Sequence, residues 1–207
     1  MGCDIHLYSE KKVTIKDDTF WWCCDYFKRN PYKKYYGDSP KYEHIEIYGN
    51  RDYCLFGALA DVRNYYDSIP ICEAKGLPDD VSKYVKKQSD RMGVDGHTHS
   101  WLTAKELFDY QKKHKSKHFK GYVSPGDAAV LDSGLGTPST WCQSTSDLTW
   151  KWREWTVEGC PMDTLIEAVK RKMKEEFLIW DWLSEEEQEE RIEENAENFR
   201  IVFWFDN

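Results

Sequence analysis

The sequence predicts a mixed α+β fold, with one sheet that includes both the N-terminal and the C-terminal strand and with helices packed on it. Three observations lead there. Cys3, Ile5 and Leu7 alternate with Asp4, His6 and Tyr8, the period of two that sorts side chains onto opposite faces of a strand. Residues 200–205 form a near-continuous apolar run, short enough for a central strand buried on both faces. Between them, capping boxes and apolar stripes at three- and four-residue spacing mark helices. No internal repeat or linker interrupts the 207 residues, so 1–207 reads as a single domain.

Along the chain, Glu10-Lys11-Lys12 fits a turn after the first strand, residues 19–27 a second, aromatic-rich strand, and residues 29–42, with Pro31, Gly37, Asp38 and Pro40, a long loop. Residues 42–48 alternate again and predict a third strand. Asn50 would cap a helix to about Val62 carrying Tyr53, Phe56, Leu59 and Ala60 on its apolar side. Asp79 or Asp80 would cap a helix to about Met92, with Val81, Tyr84, Val85 and Gln88 on one side. A polar turn over residues 93–99 follows, and then Thr103-x-x-Glu106, a capping box opening a helix to about Lys113. The basic run 112–120 reads as a solvated face and loop. Residues 126–146, rich in Gly, Ser and Thr, read as a long irregular segment. Trp150-Lys151-Trp152 alternates as a strand. Pro161 suits the first turn of a long helix striped by Met162, Leu165, Ile166, Val169, Met173 and Phe177. Ser184-x-x-Glu187 opens an acidic helix to about Asn198.

The hydrophobic fraction of 40% is modest, but an aromatic share of 15% with ten Trp restores apolar area, and a chain of this length buries about 70% of its unfolded surface. The core should therefore be rich in rings. A net charge of -8 argues against broad nucleic-acid binding, which needs clustered Lys and Arg. A local basic pocket for a small anion is compatible with it. No run of about 20 apolar residues would span a bilayer, and the N-terminus lacks a signal pattern, so the expected location is the cytoplasm, with no membrane partner. Met-Gly-Cys suggests myristoylation, but His6 stands where that motif wants Ser or Thr. Seven cysteines, an odd number without a CxxC pair, predict reduced thiols.

Asp4 and His6 place a carboxylate and an imidazole about 7 Å apart on one strand face. His97-x-His99, with Asp95 and Ser100 beside it, supplies a second pair. Acting together, Asp4, His6, His97 and His99 would form an acid–base site, or the N and O ligands of a divalent metal. The competing account gives each a separate structural role. A second constellation is basic and aromatic: Arg51, Arg63 and Arg91 would hold phosphates with their planar forks and Tyr53 or Trp101 would stack a ring, with Ser100 also counted among the ligand-binding residues.

The blocks Met1-Gly2-Cys3-Asp4-Ile5-His6, Asn50-Arg51-Asp52-Tyr53-Cys54-Leu55-Phe56, Leu59-Ala60-Asp61-Val62-Arg63-Asn64, Gly76-Leu77-Pro78-Asp79-Asp80-Val81-Ser82, Ser89-Asp90-Arg91 and Asp95-Gly96-His97-Thr98-His99-Ser100-Trp101-Leu102-Thr103 resemble, in that order, a widespread family of phage- and prophage-encoded proteins that open with Met-Gly-Cys-Asp-Ile-His. The resemblance covers roughly residues 1–110. It implies a phage protein working in a bacterial cytoplasm. Small phage proteins often counter host defences, several of which signal through cyclic or ADP-ribose-derived nucleotides.

Three functional expectations follow. The first is recognition of a small phosphorylated, nucleotide-like molecule, such as a host immune signal, which is sequestered or cleaved. The second is a metal-dependent hydrolase built on Asp4, His6, His97 and His99. The third is an inhibitor that binds a host protein through the acidic helix. The first two share one geometric expectation, that the side chains of those four residues converge on one polar pocket.

Overall fold

The computed structural model describes residues 2–35 and 41–206. Gly37, Asp38 and Pro40 of the predicted loop lie outside them. The fold is mixed α+β, as the periodicities predict, and the chain gathers into two compact units: Met1–Arg51, Ala74–Asp109 and Thr164–Asn207 form the first, Asp52–Glu73 and Tyr110–Asp163 the second.

The first unit is built on a four-stranded antiparallel sheet. Its strands are β1 (Asp4–Ile15), β2 (Asp18–Cys23), β5 (His97–Thr103) and β9 (Phe199–Asp206), in the order β2-β1-β9-β5. A separate two-stranded ribbon pairs β3 (Tyr26–Arg29) with β4 (Tyr42–Ile45). The helices α2 (Lys83–Met92) and α6 (Glu185–Glu194) belong to this unit, as do most of α3 (Ala104–Lys113) and α5 (Asp163–Glu176). Every residue of β9 from Phe199 to Phe205 is buried, the two-sided burial read from its apolar run.

Glu10-Lys11-Lys12 lies inside β1 rather than in a turn, because each charge finds a partner away from water. Glu10 and Arg200 are opposite in the β1–β9 register, their charges 2.7 Å apart and their side chains 0% and 2% exposed. Glu10 also accepts from the Ser82 amide at 2.8 Å. Arg200 donates to Asp80 at 2.7 Å and lies over the Trp21 ring. Lys11, on the other face, pairs with Glu176 of α5 at 2.7 Å. The turn comes later, at Lys16, whose φ is 55°. The predicted 19–27 strand is cut into β2 and β3 at Cys24–Asp25, where Asp25 accepts the Ser9 amide.

Both capping boxes form. Thr103 and Glu106 bond reciprocally at the start of α3, and Ser184 and Glu187 do so at α6. Two other caps lie two or three residues later than predicted. Asp52, not Asn50, caps α1 (Tyr53–Ala60). Ser82, not Asp79 or Asp80, caps α2, since the Asp80 carboxylate is taken by Arg200 and by the Trp21 indole.

The second unit contains α1, α4 (Pro125–Asp132) and a three-stranded antiparallel sheet of β6 (Ser116–Val123), β7 (Trp141–Cys142) and β8 (Lys151–Glu158), ordered β7-β6-β8. The basic run therefore enters a strand, and the 126–146 segment holds a helix capped by the Ser124 hydroxyl and a short strand. Phe119, Trp141 and Trp155 pack ring against ring. Gly57 lets Asn64 lie against α1, where an added Cβ would overlap its side chain. Asn64 then bonds Asp61 and Ser68, which gives that block of the resemblance a structural role. None of the seven cysteines is joined in a disulfide.

Replacing Glu10 by Ala leaves Arg200 buried with one exposed partner and should cost about 3 kcal/mol of unfolding free energy. Urea denaturation measures it, and a loss below about 1 kcal/mol, the range of a surface ion pair, would contradict this role.

Candidate functional site

The β1–β9 register sets Asp4 opposite Asp206, His6 opposite Trp204, Tyr8 opposite Val202 and Glu10 opposite Arg200, so these side chains share one face of the first unit's sheet. Asp4 and His6 do point the same way. Asp206 joins them: its carboxylate accepts from the Asp4 amide at 3.1 Å and lies 3.0 Å from His6 Nε2. Burial would raise the Asp206 pKa, but these hydrogen bonds and the nearby His6 and Arg51 hold it below the usual carboxylate value. The Asp4 carboxylate is occupied by Arg51, which forks onto its two oxygens at 2.9 and 2.8 Å. Gly2 leaves room for this guanidinium, which would have to shift to admit a Cβ at that position. Two residues expected to act on a ligand are thus partners of each other.

His97 and His99 do not share a face. In a regular strand an HxH pair would, but the register of β5 on β9 shifts between His97 and Ser100, with Thr98 at a φ of 53°. This bulge adds one residue and re-aims those after it. His97 stacks with Phe205 on one face, its Nδ1 2.8 Å from the Thr98 hydroxyl. His99 stacks on Trp204 on the other, with Nε2 2.9 Å from the Ser89 hydroxyl. Burial, then the charge of His97, lowers the His99 pKa. His6 and His99 both stack on Trp204, whereas His97 is separated from them by the sheet.

The expected single pocket is therefore divided. Among the described residues no group of three or more His, Cys, Asp or Glu side chains is arranged to hold a metal ion. Arg51 claims Asp4 and the sheet separates His97, so the predicted four-ligand set does not assemble.

The face bearing His6 carries further polar groups that the sequence reading missed. Tyr8 stacks on Trp204 at 5.0 Å and on His44 at 4.4 Å. His44 Nε2 lies 2.7 Å from Asp25, whose side chain is wholly buried and is held by the Ser9 amide and hydroxyl. Glu46 Oε1 sits 4.0 Å from Nδ1 of both His6 and His44, and burial raises its pKa. The only advance signal was alternation: His44 and Glu46 are two apart in a predicted strand.

The ribbon and α2 enclose a cleft of about 740 Å³. Its helical wall is the stripe Tyr84, Lys87, Gln88 and Arg91, the i, i+3, i+4, i+7 spacing of one helix face. Its other wall comes from Lys41, Tyr42, Glu43 and His44, with Phe27 opposite His44 in the ribbon. Among the described residues Lys87 and Arg91 make no ion pair, and Arg91 donates a long hydrogen bond to Gln88 at 3.5 Å. Glu43 is the one acidic residue of the lining, and Lys28 sits 3.4 Å from its carboxylate.

Of the predicted ligand-binding residues, Arg91 lines this cleft. Ser100 is fully buried, its hydroxyl accepting the Lys75 amide. Trp101 lies under the Lys75 ammonium. Arg63 and Tyr53 belong to the second unit, where Arg63 donates to the Tyr65 hydroxyl at 3.3 Å and Tyr53 packs edge-on against Phe56 and Tyr65. Burial pushes the Cys23 and Cys24 thiols near the site up, Cys24 to about 12, which disfavours the nucleophilic thiolate. No protein-family model matches the chain, and no curated protein or solved structure matches it.

A lowered histidine pKa means that the unfolded chain binds the extra proton first. The stability His99 contributes is therefore complete above about pH 6.5 and is lost as pH falls through its folded pKa. Unfolding midpoints from pH 7.5 to 5 should fall more steeply for the native protein than for His99→Gln. Parallel curves would contradict the assignment.

Proposed function

We propose that this protein recognises a small phosphorylated, nucleotide-like molecule in the cleft between α2 and the β3–β4 ribbon, and removes it by holding or cleaving it. The observation that carries this reading is the lining of that cleft: Lys41, Lys87 and Arg91 stand around the rings of Phe27, Tyr42, His44 and Tyr84 on a chain whose net charge is -8. Phosphate calls for cations and a base calls for aromatic faces. The volume falls within the range of about 300–1,000 Å³ typical of small-ligand sites.

Holding needs no more than this. Cleavage would need an acid or base in a fixed orientation, and His44 offers one: Asp25 hydrogen-bonds one ring nitrogen, and Tyr8 stacks on the ring. The resemblance of residues 1–110 to phage-encoded proteins makes host nucleotide signals, such as cyclic dinucleotides and ADP-ribose derivatives, the first class to test. The acidic helix favours protein inhibition less, because Glu187 is spent on capping and Glu189 pairs with Lys170.

Isothermal titration against AMP, ADP-ribose and cyclic di-AMP should show saturable binding to at least one. Arg91→Ala or Lys87→Ala should weaken it about 10- to 100-fold, the loss of one charge-assisted contact of about 1.5–3 kcal/mol, while Lys86→Ala, outside the lining, should leave it unchanged. Flat titrations throughout would refute the reading.

A further inference from the structure

Beside the cationic cleft lies a second groove, of about 700 Å³, lined by Phe20, Trp21, Trp22, Phe27, Val81 and Tyr84. Phe27 and Tyr84 line both spaces. They meet edge to face, 4.9 Å between ring centres and 86° between planes, so the pair forms a common wall. The two sides differ in chemistry. One offers three cations among its rings. The other offers apolar rings, with Lys83 as its only cation, and the carboxylate of its Asp80 is already committed to Arg200 and the Trp21 indole.

Trp22 is the least explained residue of this groove. β2 alternates, so Trp21 turns inward against Arg200 while Trp22 stands 59% exposed, next to Phe20 on the same strand at 37%. A large ring held mostly in water on a short edge strand gains little for the fold and invites association. It gains a purpose if a planar group lies on it.

A ligand with one ring and a phosphate is accommodated by the cationic cleft alone. The continuation of that cleft into an aromatic, nearly uncharged groove fits a ligand whose phosphate is flanked by rings on both sides. We infer that the preferred ligand carries two planar rings joined through phosphate, one ring among Tyr42, His44 and Tyr84 and the other on Trp22 and Phe20. This rests on the proposed function and narrows it from nucleotides in general to dinucleotides, cyclic or pyrophosphate-linked.

The test is isothermal titration of the full chain at fixed salt with AMP and ADP as one-ring probes and cyclic di-AMP and NAD as two-ring probes, for the native protein, Trp22→Ala and Trp22→Phe. At least one two-ring probe should bind about tenfold or more tighter than AMP, the scale of one added stacking contact. Trp22→Ala should erase that excess without changing AMP affinity, and Trp22→Phe should retain most of it. Because Trp22 is largely exposed, circular dichroism should show both variants folded. Equal affinity for one- and two-ring probes, or an excess that survives Trp22→Ala, overturns the second-ring site and leaves the proposed function standing. No binding by any of the four overturns both.

Discussion

Arg200 and Glu10 face each other across β9 and β1 with almost no access to water, and the sheet of the first unit is arranged around that pair. Two buried charges are tolerable only when each finds its partner in good geometry. A one-residue slip of β1 on β9 would turn Glu10 to the opposite face, strand the guanidinium and move every apolar side chain of the strand to the wrong side. The register that keeps the pair together also sets His6 against Trp204 and Asp4 against Asp206. Through Asp80 and the Ser82 amide the same pair holds the chain leading into α2, and α2 supplies the wall of the cleft that carries Tyr84, Lys87 and Arg91.

From that constraint follows a layered sheet face. Closest to β9 the groups are committed to one another: Arg51 to Asp4, Asp206 to His6, Ser89 to His99. Further out, on the ribbon, His44 is held by Asp25 and stacked by Tyr8, yet still borders the cleft. At the rim, Lys87 and Arg91 are cations without ion-pair partners among the described residues. Charge satisfied inside and left unsatisfied at an aromatic opening is the pattern expected where a ligand completes the electrostatics.

The legible parts of the fold were those fixed by neighbours in sequence. The capping boxes at Thr103 and Ser184 close within one turn, and the β9 run has a single reading, so both were recovered. Charges whose partners are distant misled. Glu10 and Lys11 look like turn residues until Arg200 and Glu176 are brought to them. Asp80 looks like a helix cap until Arg200 claims it. Gly126 and Gly134 obscured α4, although Ser124-Pro125 announces it. The site failed in a similar way. Alternation placed Asp4 and His6 on one face, but nothing local in His97-Thr98-His99 declares the bulge that parts the two histidines. The α2 half of the cleft could be read from its spacing. The ribbon half could not, because Asp25, His44 and Glu46 come together only through tertiary contacts.

The central claim is that the cleft between α2 and the ribbon is where a small phosphorylated molecule binds. Hydrogen–deuterium exchange of the full chain, with and without the small-molecule fraction of a bacterial lysate, tests it without choosing a ligand in advance. Binding there should slow exchange in peptides covering residues 41–48 and 83–92 and leave residues 116–123 and 151–158 of the second unit unchanged. Protection confined to the second unit, or none at any concentration of the fraction, would contradict the account.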